Sequence, residues 1–180
     1  NNLINNPTLD PWSNYLTYST NTLGFPYGPV MILIFLPFSI LFWIIGMAFN
    51  MQEYFLGIGF RLTLLFFDFI GYLVLSNLLV NKKKEIIFFY WLSPLIFFVT
   101  YIYGQLDIIP TTILLIAYLY LFKNKFKISG ILFGLAIATK LSVGLIMPFP
   151  IIYLFQIKRL ATGLISFTKY LLIILFLFTI

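Results

Sequence analysis

At 180 residues the chain has the length of one soluble domain, but 62% of it is hydrophobic, 21% aromatic and 9% charged, with a mean hydropathy of +1.04. That composition belongs in a bilayer. Eleven Lys and Arg against five Asp and Glu give a net charge of +6, but the cations sit in short clusters at the ends of apolar runs, so they report membrane topology rather than a nucleic-acid surface. The lack of Cys and His excludes disulfides, thiol catalysis, a Ser-His-Asp triad and Cys- or His-ligated metal, which leaves any acid–base chemistry to Asp10, Glu53, Asp68, Glu85 and Asp107.

The chain opens at Asn1 without Met and stops at Ile180 inside an apolar run, and it is read as a piece of a larger protein. Residues 1-28 are polar and aromatic with no Lys or Arg, which assigns them to an extracytoplasmic loop. Trp12, Tyr15, Tyr18 and Tyr27 suit a membrane interface, or a sugar face on which to stack. The apolar run Pro29 to Phe49 is long enough for a hydrocarbon core of about 30 Å, but the number of crossings argues otherwise. Basic clusters follow at Lys82-Lys83-Lys84, at Lys123, Lys125 and Lys127, and at Lys158-Arg159, and the positive-inside rule puts all of them in the cytoplasm. An odd number of crossings must then separate the first loop from Lys82, yet two apolar segments intervene. The first, 29-54, is expected to be juxtamembrane or re-entrant, broken at Pro37. The second is expected to span from about Phe55 to Val80, with Asp68 buried in it.

Glu85 to Tyr103 runs back out and delivers Tyr103-Gly104-Gln105-Leu106-Asp107-Ile108-Ile109-Pro110. An acid, an amide and two backbone breakers are tolerated near a bilayer only where water or partners receive them. The stretch reads as a functional mouth; its plainer reading is a corner between helices, with Asp107 and Gln105 capping the second. Ile108 to Phe122 returns inward. Ile128 to Thr139 is too short to span and ends at Lys140, a lone cation that snorkels or faces a polar cavity. Leu141 to Gln156 leads back to Lys158-Arg159, and a last helix starts near Leu164. The expected fold is an all-α, polytopic transmembrane helical bundle (55-180), with about six membrane segments counting the first. Gln105, Asp107, Lys140 and Tyr27 gather at its outer face, beneath the loop that carries Asp10.

The order of motifs resembles a known superfamily. Phe25-Pro26-Tyr27-Gly28-Pro29 opens an apolar helix, Arg61-Leu62 and Asp68 lie in the next, and Tyr103-Gly104-Gln105-Leu106-Asp107 follows. After these come Ser129-Gly130-Ile131-Leu132-Phe133-Gly134-Leu135-Ala136, then Thr139-Lys140, with Pro148 beyond. This collinear set resembles the GT-C polytopic glycosyltransferases, which use polyprenyl-phosphate-linked sugars. It is most similar to the prokaryotic relatives of GPI mannosyltransferases, with their Gly-Gln-x-Asp motif and a following helix that ends in Lys. The resemblance implies juxtamembrane helices in an outer loop and a catalytic Asp at or after a first transmembrane helix. Asp10 is the one acid in the leading segment that could match that position; the alternative is a turn at Asp10-Pro11.

The implied reaction moves a hexose, mannose-like, from a polyprenyl-phosphate donor to a lipid or glycan acceptor on the extracytoplasmic face. A carboxylate takes the acceptor proton and a cation holds the departing phosphate. Asp10 is the candidate base and Lys140 the candidate phosphate holder. Gln105 and Asp107 would bind sugar hydroxyls, or Asp107 would orient the lysine or a divalent cation such as Mg or Mn. An ion pair between Lys140 and Asp107 also satisfies both charges without any substrate. Asp68 is expected to be structural, with a partner on another helix more fitting than Arg61. The competing readings are a transporter or flippase of a lipid-linked solute and a non-catalytic subunit of a glycan-assembly complex.

Overall fold

The computed structural model describes residues 27–156 and 160–179, and every regular element among them is helical. Helix α1 (Pro29–Ala48) starts on a proline, whose missing N–H costs nothing in a first turn. Asn50, with φ 53°, reverses the chain into α2 (Gln52–Leu78). The two helices form an antiparallel hairpin, with Gly46 against Gln52 near the turn and Gly59 against Phe38 further along. The rings of Phe35 and Phe60 stack at 4.8 Å across the same seam.

Pro37 does not break α1, contrary to the break expected there from sequence. Its ring lies on the exposed side, while the seam with α2 holds the helix together past the lost backbone bond. The break falls later in the chain. Helices α3 (Val80–Trp91) and α4 (Pro94–Ile102) are bent by 45° at Leu92-Ser93, where Pro94 forces the preceding residue out of helical geometry. Each ends in a widened turn: the N–H of Leu92 donates to the carbonyl of Ile87 and that of Tyr103 to the carbonyl of Phe98, at 2.8 and 2.9 Å. Bonds reaching five residues back are rare, and they turn side chains to faces that a regular helix would not present.

Helix α5 (Ile108–Phe122) and helix α6 (Phe126–Thr139) form a second hairpin, turned by Asn124 at φ 58°. Ser129 donates its hydroxyl to the carbonyl of Ala117 at 2.9 Å within this seam. A 3-10 segment (Leu141–Ile146) leads into α7 (Pro148–Gln156), which returns along the bundle until Tyr153 meets the ring of Phe122. Helix α8 (Leu160–Thr179) then runs parallel to α6: Gly163 faces Phe126, Gly130 faces Phe167, and Gly134 faces Leu171 and Ile174. Small residues four apart let the two backbones approach closely, which is how helices associate where lipid removes the hydrophobic drive. The core gathers on α5 and α6, with Ile109, Ala117, Leu121, Phe133 and Ala136 fully buried beside Phe167 of α8.

Helices α1 and α2 are each long and apolar enough to cross a membrane, and the bent α3–α4 pair would make a third span. The remaining apolar helices are shorter than that, so the described residues hold two or three candidate spans rather than the about six segments expected from hydropathy. Phe88, Phe89, Leu141 and Leu145 lie exposed, as side chains facing lipid do.

A leucine at Gly130 would place its Cβ 2.4 Å from the carbonyl oxygen of Phe167, whereas nothing lies within 4 Å of a Cβ at Gly57. Gly130→Leu is expected to destabilise the protein by about 1–3 kcal/mol, and Gly57→Ala to stabilise it by about 0.5–1 kcal/mol through helix propensity alone. Thermal unfolding in detergent checks both signs.

Candidate active site at the ends of two helix hairpins

The corner between α4 and α5 is built by its backbone. Gly104 takes φ +76°, a left-handed conformation that side chains resist, and nothing crowds the position. Beyond it the N–H of Gln105 reaches back to the carbonyl of Val99 at 3.0 Å, so the corner hangs from the last turn of α4. Asp107 directly precedes α5, but its carboxylate makes no capping bond, contrary to the plain capping reading. Thr111 instead bonds the Asp107 carbonyl, through its hydroxyl at 2.6 Å and its N–H at 3.2 Å. That leaves the carboxylate free to face across the site.

There it collects three donors. Lys140 Nζ donates to Oδ1 at 2.5 Å, the Tyr27 hydroxyl donates to the same oxygen at 3.1 Å, and Gln105 Nε2 donates to Oδ2 at 3.0 Å. The ammonium also lies 5.3 Å from the centre of the Tyr27 ring, within cation–π range. Lys140 takes extended backbone immediately after α6. The pair therefore joins the positive end of α5 to the negative end of α6, so each helix dipole favours the charge placed on it. With the Lys140 side chain 22% exposed and that of Asp107 38%, neither charge is sealed in the core. The four residues named from sequence, Tyr27, Gln105, Asp107 and Lys140, are brought together.

Tyr27 is held there by its neighbour. The N–H of Gly28 donates to the carbonyl of Thr139 at 2.9 Å, and a Cβ on Gly28 would fall 2.0 Å from the carbonyl oxygen of Ala138. Only glycine permits this approach of the start of α1 to the end of α6. Burial, followed by the negative charge of Asp107 and the bond to it, raises the Tyr27 phenol from 10.0 to about 12. Tyr27 is thus a hydrogen-bond donor throughout the physiological range.

A second carboxylate lies in the core. Asp68 is buried, and it accepts from the hydroxyls of Tyr90 and Tyr101, each at 2.7 Å. Its partners come from other helices, as expected, and Arg61 is not among them. Neither tyrosine was singled out from sequence, since Tyr90 and Tyr101 stand in an aromatic run indistinguishable from lipid-facing belt residues. Asp10, with Trp12, Tyr15 and Tyr18, lies outside the described residues. Among the described residues no three acidic side chains cluster, and both oxygens of Asp107 accept from neighbouring side chains.

The apolar helices and the charge-paired corner they carry are those of a helical membrane protein. The model of glycosyltransferase family 87 matches residues 25–179, and the chain belongs to that family. The matched span holds all of Tyr27, Gln105, Asp107 and Lys140, and membership makes the protein a glycosyltransferase rather than a transporter. Neither the curated proteins nor the solved structures contain a match.

Gly28→Ala is expected to unseat Tyr27, lowering stability by about 1–3 kcal/mol. Tyr27→Phe keeps the ring and loses only the bond to Asp107. The raised phenol contributes stability that is fully present below pH 10.0 and lost as pH rises through about 12. The stability of Tyr27→Phe should therefore fall less steeply than that of the parent over that window, measured by denaturant unfolding at stepped pH.

Proposed function

We propose that the protein is a GT-C-type hexosyltransferase that moves a mannose-like sugar from a polyprenyl-phosphate donor to a lipid or glycan acceptor on the extracytoplasmic face of a membrane. The observation that carries this reading is the Asp107–Lys140 pair, set at a partly exposed corner of a bundle that exposes many large apolar side chains. A paired charge kept at such a place suits a substrate that carries both an anionic phosphate and a polar sugar.

In the reaction the acceptor hydroxyl oxygen bonds to the anomeric carbon as the bond from that carbon to the donor phosphate oxygen breaks. The hydroxyl proton passes to a carboxylate, a role we assign to Asp10. The electron pair of the broken bond stays on the phosphate, whose growing charge the Lys140 ammonium meets; one of its three N–H donors is held by Asp107, which aims the others. The Gln105 amide and the outer lone pairs of Asp107 receive sugar hydroxyls, and the Tyr27 ring offers an apolar face to the sugar. No step is routed through a metal ion. The basic residues Lys123, Lys125 and Lys127 sit at the opposite end of the α5–α6 hairpin from this corner, and the positive-inside rule, which assigns such clusters to the cytoplasm, supports an extracytoplasmic corner.

Transfer from a polyprenyl-phosphate sugar, assayed with the full-length protein in lipid, is expected to fall at least about 100-fold in Asp107→Asn and in Lys140→Gln, as for the loss of a charge-bearing group acting on the transition state. Lys140→Arg is expected to retain more activity than Lys140→Gln. Unchanged transfer in both Asn and Gln variants would remove Asp107 and Lys140 from the site and leave the chain a scaffold role.

A further inference from the structure

Asp68 has hydrogen-bond partners of its own, separate from those of the corner, and three elements meet at its level. Tyr90 from the widened turn of α3 and Tyr101 from the widened turn of α4 both donate to its carboxylate at 2.7 Å, one to each oxygen. Thr112, on the first turn and a half of α5, donates to the carbonyl of Phe67 at 3.0 Å. Gly71 makes the slot for both, since a Cβ there would lie 2.7 Å from the Tyr90 hydroxyl and 2.9 Å from Thr112 Oγ1. A helix with regular four-residue spacing would turn Tyr90 and Tyr101 elsewhere, so the two wide turns serve the same carboxylate.

Of the two tyrosines, Tyr101 is the one on the helix that leads into the corner. Tyr101 is four residues before Gln105, whose N–H bonds the carbonyl of Val99 on the same turn and whose side chain holds Oδ2 of Asp107. Tyr90 precedes the 45° bend and has no such link. We propose that Asp68 is a positioning residue: through Tyr101 it fixes the last turn of α4, and so sets where Gln105 holds the Asp107 carboxylate against Lys140. This extends the reading of Asp107 and Lys140 as the donor site, but the geometric part stands without it.

The test uses Tyr101→Phe, Tyr90→Phe and Asp68→Asn in the full-length protein in lipid nanodiscs, with two readouts. The first is the rate of acetylation of Lys140 by an amine-reactive ester, resolved by peptide mass spectrometry, which needs no substrate. The second is KM and kcat for the polyprenyl-phosphate sugar. Losing one charge-assisted hydrogen bond should speed Lys140 acetylation by about five- to tenfold in Tyr101→Phe and in Asp68→Asn, and raise donor KM by a similar factor with kcat within about twofold. Tyr90→Phe, which removes a bond of equal length to the same carboxylate, should leave acetylation and KM within about twofold of the parent, whatever it does to the melting temperature. Equal effects of the two phenylalanine variants, or unchanged Lys140 acetylation in Tyr101→Phe, would overturn the proposal. Where the parent protein transfers no sugar from such donors, the proposed function fails and the acetylation rates alone decide this inference.

Discussion

A carboxylate and an ammonium group held 2.5 Å apart, one at the start of α5 and the other just past the end of α6, are the constraint around which the described bundle is arranged. Each charge alone would be costly beside so much hydrocarbon, and their mutual attraction repays desolvation only with good geometry and satisfied neighbours. Three features supply that geometry. The α5–α6 hairpin returns the end of α6 to the level of the start of α5; the two dipoles point favourable ends at the pair; and Gln105 and Tyr27 each add a further donor to the carboxylate.

The rest of the architecture serves to keep those ends in register. Gly28 binds the start of α1 to the end of α6, which brings Tyr27 over the lysine. The Gly130 and Gly134 seam clamps α8 along α6, and the seam around Gly59 clamps α1 on α2. These are contacts of small residues and backbone carbonyls, suited to an environment where apolar side chains gain nothing by leaving lipid. The buried Asp68 cluster is different in kind. It spends a carboxylate on two phenols deep in the protein, which specifies one orientation of α4 where apolar packing would tolerate several.

The family match and the geometry bear on different questions. Membership in glycosyltransferase family 87 concerns residues 25–179 as a whole and assigns the class of reaction. Geometry distinguishes among polar residues of the same type: Asp107 faces a partly exposed corner with a cation, whereas Asp68 is enclosed by tyrosines. Two aspartates in one bundle thus occupy different environments, one paired with a cation and one with two phenols.

From sequence alone came the all-helical membrane class, the polar corner at Gln105 and Asp107, and the lysine as its partner. These were readable because a charge, a glycine or a basic cluster is conspicuous against hydrocarbon, and its cost demands an explanation wherever it falls. The location of the helix break was not. Pro37 and Pro94 look alike as residues, and only the packing of α1 along α2 keeps the first helix whole while the second proline bends its own. Tyr90 and Tyr101 were equally hidden, because a tyrosine that meets lipid and one that meets a buried carboxylate have the same local signature. Their difference arises from widened turns that rotate them inward, a property of hydrogen bonds five residues long that no side-chain pattern announces.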